Sequence, residues 1–183
     1  MALVRSRGMS QGTAAPPFSL PATDGETYSL ASFANADVLV VVFTCNHCPY
    51  AIAAEDRLVE LQRDYATRGV RLVAINPNDS EGYPADSFDN MVVRAEAKGF
   101  NFPYLHDEPQ AVARAYDAAC TPDVFVFDAE RALVYNGRID DSWKDPTRVT
   151  QRDLRAVIDA TLEGREHGLD VQASMGCSIK WRR

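Results

Sequence analysis

The sequence has no surplus of positive charge: 19 lysines and arginines stand against 26 aspartates and glutamates, a net charge of −7. Nucleic acid and anionic membrane surfaces are therefore disfavoured as partners. No apolar stretch approaches the length that spans a bilayer. The opening segment, Met1 to Pro16, carries Arg5 and Arg7 but lacks the apolar core of a secretory signal. Repeats, low-complexity tracts and linkers are also missing, so 183 residues suit one domain with a sizeable core. These absences point to a cytoplasmic protein. In that compartment a close pair of cysteines is redox-active or metal-binding rather than a structural bridge.

Such a pair is present. Residues 43 to 50 read Phe-Thr-Cys-Asn-His-Cys-Pro-Tyr, directly after the apolar, mostly β-branched run Val38 to Val42 and directly before a helical pattern. A strand that turns into a helix at a cysteine sets the thiol beside unpaired backbone N–H groups and the positive end of the helix dipole. Cys45 is accordingly expected to be the more acidic and more nucleophilic thiol. Cys48, about one turn on, can close a disulfide with it.

Around this motif the chain alternates strands and helices. Phe18–Leu20 and Thr27–Leu30 flank Asp24-Gly25, a hairpin signal. Val38 to Phe43 reads as a strand buried on both faces. The stripe Ala51, Ala54, Leu58, Leu61 and Tyr65 predicts a helix over about 48–68, stopped by Gly69. Val70 to Ile75 completes a β-α-β unit. Residues 77 to 84 read as an exposed loop. Helices are expected near 87–98 and 109–118, strands over 123–127 and 133–136, and a last helix from Thr150 to Gly164. The divisions expected are a flexible arm over 1–15, a domain over 16–164, and an irregular tail over 165–183 that packs on or near it.

This order, with a CxxC at the first main helix and Thr121-Pro122 before a strand, resembles the thioredoxin-like redoxins, the AhpC/TSA-related group that joins peroxiredoxin-like and cytochrome-maturation-type thioredoxins. Further matching stretches are Pro17-Phe18-Ser19-Leu20-Pro21 and Cys120-Thr121-Pro122-Asp123. The resemblance implies an α/β thioredoxin-like fold, a central mixed sheet flanked by helices, with an N-terminal hairpin and an insertion over about 77–105 ahead of a cis-proline strand. It implies a cis bond before Pro122 facing the dithiol, and a Thr121 backbone suited to docking an extended thiol substrate. It also implies thiol–disulfide exchange with Cys45 as nucleophile and Cys48 as resolver, supported by Thr44, Asn46, His47, Thr121 and Pro122, with no cofactor and no resident metal. Protein or small-molecule disulfides and thiols would be the partners. His47, between the cysteines, would favour the reduced thiolate and make the couple more oxidising. Cys120 and Cys177 are candidates for a redox relay.

The pattern departs from peroxiredoxins in two places. Their Thr or Ser three residues before the peroxide-reactive cysteine is Val42 here for Cys45, and Cys45 itself for Cys48. Their activating Arg falls at Pro122. The buried acid in thioredoxin's central strand is also missing from Val38 to Val42, so another proton acceptor is needed, with His47 and water the candidates. Peroxide reduction, and carriage of copper or zinc by Cys45 and Cys48, stand as alternative functions. The sequence leaves the oligomeric state open.

Overall fold

The structure, a computed structural model, describes residues 3–182. Its elements in chain order are β1 (Leu3–Arg5), β2 (Ser19–Pro21), β3 (Thr27–Ser29), β4 (Val38–Phe43), α1 (Pro49–Tyr65), β5 (Val70–Asn76), α2 (Phe88–Lys98), β6 (Tyr104–His106), α3 (Ala111–Ala115), β7 (Cys120–Thr121), β8 (Asp123–Phe127), β9 (Leu133–Asn136), α4 (Asp153–Leu162) and β10 (Met175–Ser178). The main sheet runs β6-β5-β4-β8-β9. Strands β4, β5 and β6 are parallel, while β8 lies antiparallel to β4 and β9. This is the mixed sheet of a thioredoxin-like α/β fold. Among the described residues, no helix is long and apolar enough to cross a membrane.

The two-residue period of β4 divides the core. Leu39, Val41 and Phe43 pack with Phe33, Ile75, Tyr116 and Phe125 on one face. Val38, Val40 and Val42 pack with Leu58, Leu61, Leu72 and Ile158 on the other. The α1 stripe read from the sequence is the buried one: Ala51, Ala54, Leu58, Leu61 and Tyr65 all face inward. Gly69 ends the helical segment at φ +78°, and a Cβ there would lie 2.0 Å from Asp37 Oδ2, so the stop depends on glycine.

Four strands were not expected, one of them the two-residue β7 ahead of Pro122. The parallel edge strand β6 lies inside the insertion. A strand forms within the segment read as a loose arm, and another within the segment read as an irregular tail: β1 and β10 pair with each other and with β7 in the order β1-β10-β7. Met1 and Ala2 of the arm lie outside the described residues. The 77–84 segment is also less exposed than expected, since Asn78 is buried. It grips the tail, with Lys180 N donating to Asn78 Oδ1 at 2.8 Å and Asp79 N donating to Lys180 O at 2.8 Å. The third helix covers only Ala111–Ala115 of the span read as helical, and α4 begins at Asp153 rather than Thr150.

Candidate active site

β4 delivers the chain to the dithiol. Thr44, cast as a supporting residue, extends the β4–β5 ladder through its amide, which donates to Ile75 O at 2.8 Å. Cys45, Asn46 and His47 form the turn, Cys48 caps α1, and Pro49 opens it, a first-turn position where proline's missing N–H costs nothing. The Thr121–Pro122 bond is cis, and Thr121 lies against both cysteines. Cys45 Sγ is 3.3 Å from Thr121 Oγ1, and Cys48 Sγ is 3.0 Å from Thr121 O. All four cysteines are buried and none is in a disulfide; Cys45 is 2% exposed and Cys48 fully covered.

The helix start corrects the expected charge assignment. Cys48, not Cys45, sits at the N-cap, so the orphan N–H groups of α1 serve Cys48. A hydrogen bond from Cys45, then bonds from the Cys177 thiol and the Ala51 and Cys177 amides, pull the Cys48 thiol down to about 4 against the burial that opposes them. Cys45 is pushed up by its bond to Cys48, by burial and by the nearby Asp86 carboxylate. The Cys48–Thr121 O contact, taken alone, suits a protonated thiol, whereas the surrounding donors suit a thiolate. Four donors outweigh one acceptor, so charge is favoured on Cys48 over Cys45. The Thr121 carbonyl then receives the hydrogen whenever Cys48 is protonated.

Asp86 is the residue that sequence reasoning missed. It is fully buried and gathers three donors: Asn46 N at 2.7 Å, Asn78 Nδ2 at 2.8 Å and His47 Nδ1 at 2.5 Å. Its available signal was weak, one acid among the polar and proline residues of a segment read as loop. A carboxylate that only accepts fixes the hydrogen of His47 on Nδ1 and leaves Nε2 buried with no hydrogen-bond partner among the described residues. The ring stacks on Tyr83, with centroids 5.4 Å apart. Asn46 is held by its side chain as well, donating to Ala85 O at 2.8 Å and accepting from Tyr104 OH at 2.9 Å.

Cys45 Sγ, a His47 nitrogen and an Asp86 oxygen lie within 4.8 Å of one another, close enough to be metal donors. The short Asp86–His47 bond would have to break to admit an ion, and Asp86 is already satisfied. The cluster fits a positioned His–Asp unit beside a thiol better than it fits a cation.

The two relay candidates part company. Cys177, on β10, packs with Cys45, Cys48 and Ala51, and its thiol is hydrogen-bonded to Cys48. Cys120 lies outside that cluster; its thiol donates weakly to Pro122 O at 3.6 Å, and burial pushes its pKa up. Pro122 also borders a cleft of about 180 Å³ that Tyr50 and Trp143 line. Those two rings lie with centroids 4.0 Å apart, tilted by 33°, so Trp143 forms a wall of the cleft.

The sequence pattern of the AhpC/TSA family matches residues 11–136. The chain belongs to that family. It is similar over 100% of its length, at 46% identity and a TM-score of 0.95, to an uncharacterized conserved protein from Geobacillus kaustophilus, covering 97% of that chain. A hypothetical protein from Sinorhizobium meliloti matches at 41% identity and a TM-score of 0.93, over 97% of this chain and 98% of that one. A peroxidoxin from Mycobacterium tuberculosis matches at 19% identity and a TM-score of 0.63, over 85% and 96% respectively; at that identity the likeness concerns the fold alone.

Proposed function

We propose that this AhpC/TSA-family protein is a thiol–disulfide oxidoreductase in which Cys45 and Cys48 form the exchanging dithiol. The observation that carries the reading is the Cys45–Cys48 pair at the α1 N-terminus, set against Thr121 and its cis bond to Pro122, with neighbouring donors favouring charge on the Cys48 sulfur. That sulfur is the proton acceptor the central strand does not supply. As the proton passes from Cys45 to Cys48, Cys45 attacks one sulfur of a substrate disulfide. The substrate S–S bond breaks, and its distal half leaves as a thiolate and takes a proton from solvent. Cys48 then gives up its proton and attacks the Cys45 sulfur, releasing the second half as thiol and leaving a Cys45–Cys48 disulfide. Two electrons have passed from the dithiol to the substrate, and the reverse sequence oxidises a dithiol partner.

Thr121 is fully buried and its backbone edge is already paired. This favours small disulfides reaching the site beside Pro122 over extended chains docking on Thr121. Peroxide reduction is the weaker reading despite the name of one fold neighbour, because Val42 and Pro122 stand where an activating hydroxyl and guanidinium would be required.

The test is turnover of a small disulfide by two variants. Cys45→Ser is expected to abolish it, and Cys48→Ser to accumulate a mixed disulfide on Cys45. Retained activity in both variants would end the reading. Consumption of hydrogen peroxide by the reduced wild type should be no faster than by an ordinary thiolate; a rate many orders faster would favour the peroxidase.

A further inference from the structure

The edge that would receive a substrate strand is filled by the chain itself. β10 pairs antiparallel with β7, setting Cys177 opposite Thr121 and Ser178 opposite Cys120. Glycine makes the approach possible: a Cβ on Gly176 would lie 2.0 Å from Thr121 O and 2.6 Å from Thr121 C. β1 closes the outer side of the strand, with Leu3 opposite Cys177. Beyond it, Gln110 Nε2 donates to Lys180 O at 2.7 Å and Gln110 Oε1 accepts from Arg182 N at 2.7 Å, anchoring the tail. The result is an extended cysteine-bearing segment, antiparallel to the residues before Pro122, with its thiol bonded to Cys48.

We propose that β10 is a built-in substrate strand and Cys177 a second resolving thiol, so that a disulfide formed at Cys45–Cys48 is passed inward to Cys48–Cys177. This rests on the reading of Cys45 and Cys48 as a redox dithiol. In the step, the Cys177 sulfur attacks the Cys48 sulfur, the Cys45–Cys48 bond breaks, the Cys48–Cys177 bond forms, and the Cys177 proton goes to the departing Cys45 thiolate. No outside oxidant or reductant enters. Cys45 is thereby regenerated while the oxidising equivalent is stored as a link between β10 and α1. Timing is built in as well. In the reduced protein the Cys177 thiol is pushed up to about 11 by burial, by its bond to Cys48 and by the Cys48 charge. Once Cys48 enters a disulfide its charge is gone, and Cys177 ionises more readily at the moment its attack is needed. Cys120 has no part in this, since its thiol bonds Pro122 O instead.

The experiment is oxidation of the full-length chain with diamide, acid quenching at intervals, alkylation of remaining thiols and mapping of disulfide-linked peptides. In the wild type the Cys45–Cys48 link should form first, with Cys48–Cys177 rising as it falls. In Cys45→Ala the Cys48–Cys177 link should form directly, and in Cys177→Ser only Cys45–Cys48 should remain. If the wild type forms Cys45–Cys48 but never Cys48–Cys177, and Cys45→Ala leaves Cys48 and Cys177 both alkylated, the relay is overturned while the dithiol reading stands. If the wild type forms no Cys45–Cys48 link, the dithiol reading and the relay fall together.

Discussion

Cys177 lies directly opposite Thr121 across the β7–β10 ladder, and Thr121 touches both sulfurs of the dithiol. The C-terminal segment is thus a wall of the site. Three thiols share one apolar pocket with Ala51, and the helix end beneath them gives the cluster its electrostatic direction, toward Cys48.

That direction is measurable. The reduced protein should show a thiolate absorbance that disappears on acidification with a midpoint of about 4, the value to which Cys48 is lowered. The bond from Cys45 is the largest cause of the shift, so in Cys45→Ala the midpoint should move up toward the ordinary thiol range. An unmoved midpoint would assign the thiolate to other donors.

His47 is held by Asp86 with its ring within 4.8 Å of the Cys45 sulfur. From its place between the cysteines, His47 is expected to favour the reduced, thiolate-bearing state over the disulfide, which would make the couple more oxidising. His47→Ala should lower the reduction potential by roughly 10–30 mV, a shift of up to about 1.4 kcal/mol for a two-electron couple. An unchanged potential in a glutathione redox titration would remove His47 from the tuning.

Asp123, buried behind Pro122, is raised to about 6, chiefly by desolvation, with bonds from Ala119 N and the Asn136 amide pulling the other way. Its folded pKa exceeds the ordinary carboxylate value of 3.8, so between these values the folded state binds the proton more readily than the unfolded chain. Asp123 therefore makes stability fall as pH rises from about 4 to 6, by on the order of 3 kcal/mol. Asp123→Asn should abolish that contribution to the slope in urea melts across the window. An identical slope in the variant would refute the assignment.

Glu55 on α1 is buried and takes Arg94 of α2 through two bonds, 2.8 and 2.6 Å. This pair fixes the helix that follows the Asp86 segment against the helix that carries Cys48. Arg94→Ala leaves the buried carboxylate with only Lys98, 3.8 Å away, and should cost up to about 3 kcal/mol, whereas the double change Glu55→Met with Arg94→Leu should cost far less. Equal losses in urea unfolding would mean that packing, not charge, dominates the contact.

Long periodic stretches were legible in the sequence. The β-α-β unit, the hairpin and the α1 stripe follow from local alternation and helical spacing, which need no knowledge of distant partners. Strands β1 and β10 did not announce themselves, because Leu-Val-Arg and Met-Gly-Cys-Ser are too short to establish a period and form only by pairing with each other and with β7. The CxxC was visible, but which cysteine receives the helix N–H groups depended on a boundary at Pro49 that pattern reading places only to within a few residues. Asp86 was hidden for a different reason. An acid in a polar, proline-containing segment reads as solvated, and only the three donors converging on it from the turn and from Asn78 allow it to be buried.

The most direct test of the central claim is the reaction of the fully reduced wild type with a chromogenic aromatic disulfide, read by release of its two halves and by the mass of the product. The account predicts that both halves are released in quick succession, with no retained adduct and with a Cys45–Cys48 link in the product or, after relay, a Cys48–Cys177 link. Release at the rate of an ordinary buried thiol, with an adduct left on the chain and no internal disulfide involving Cys48, would contradict it.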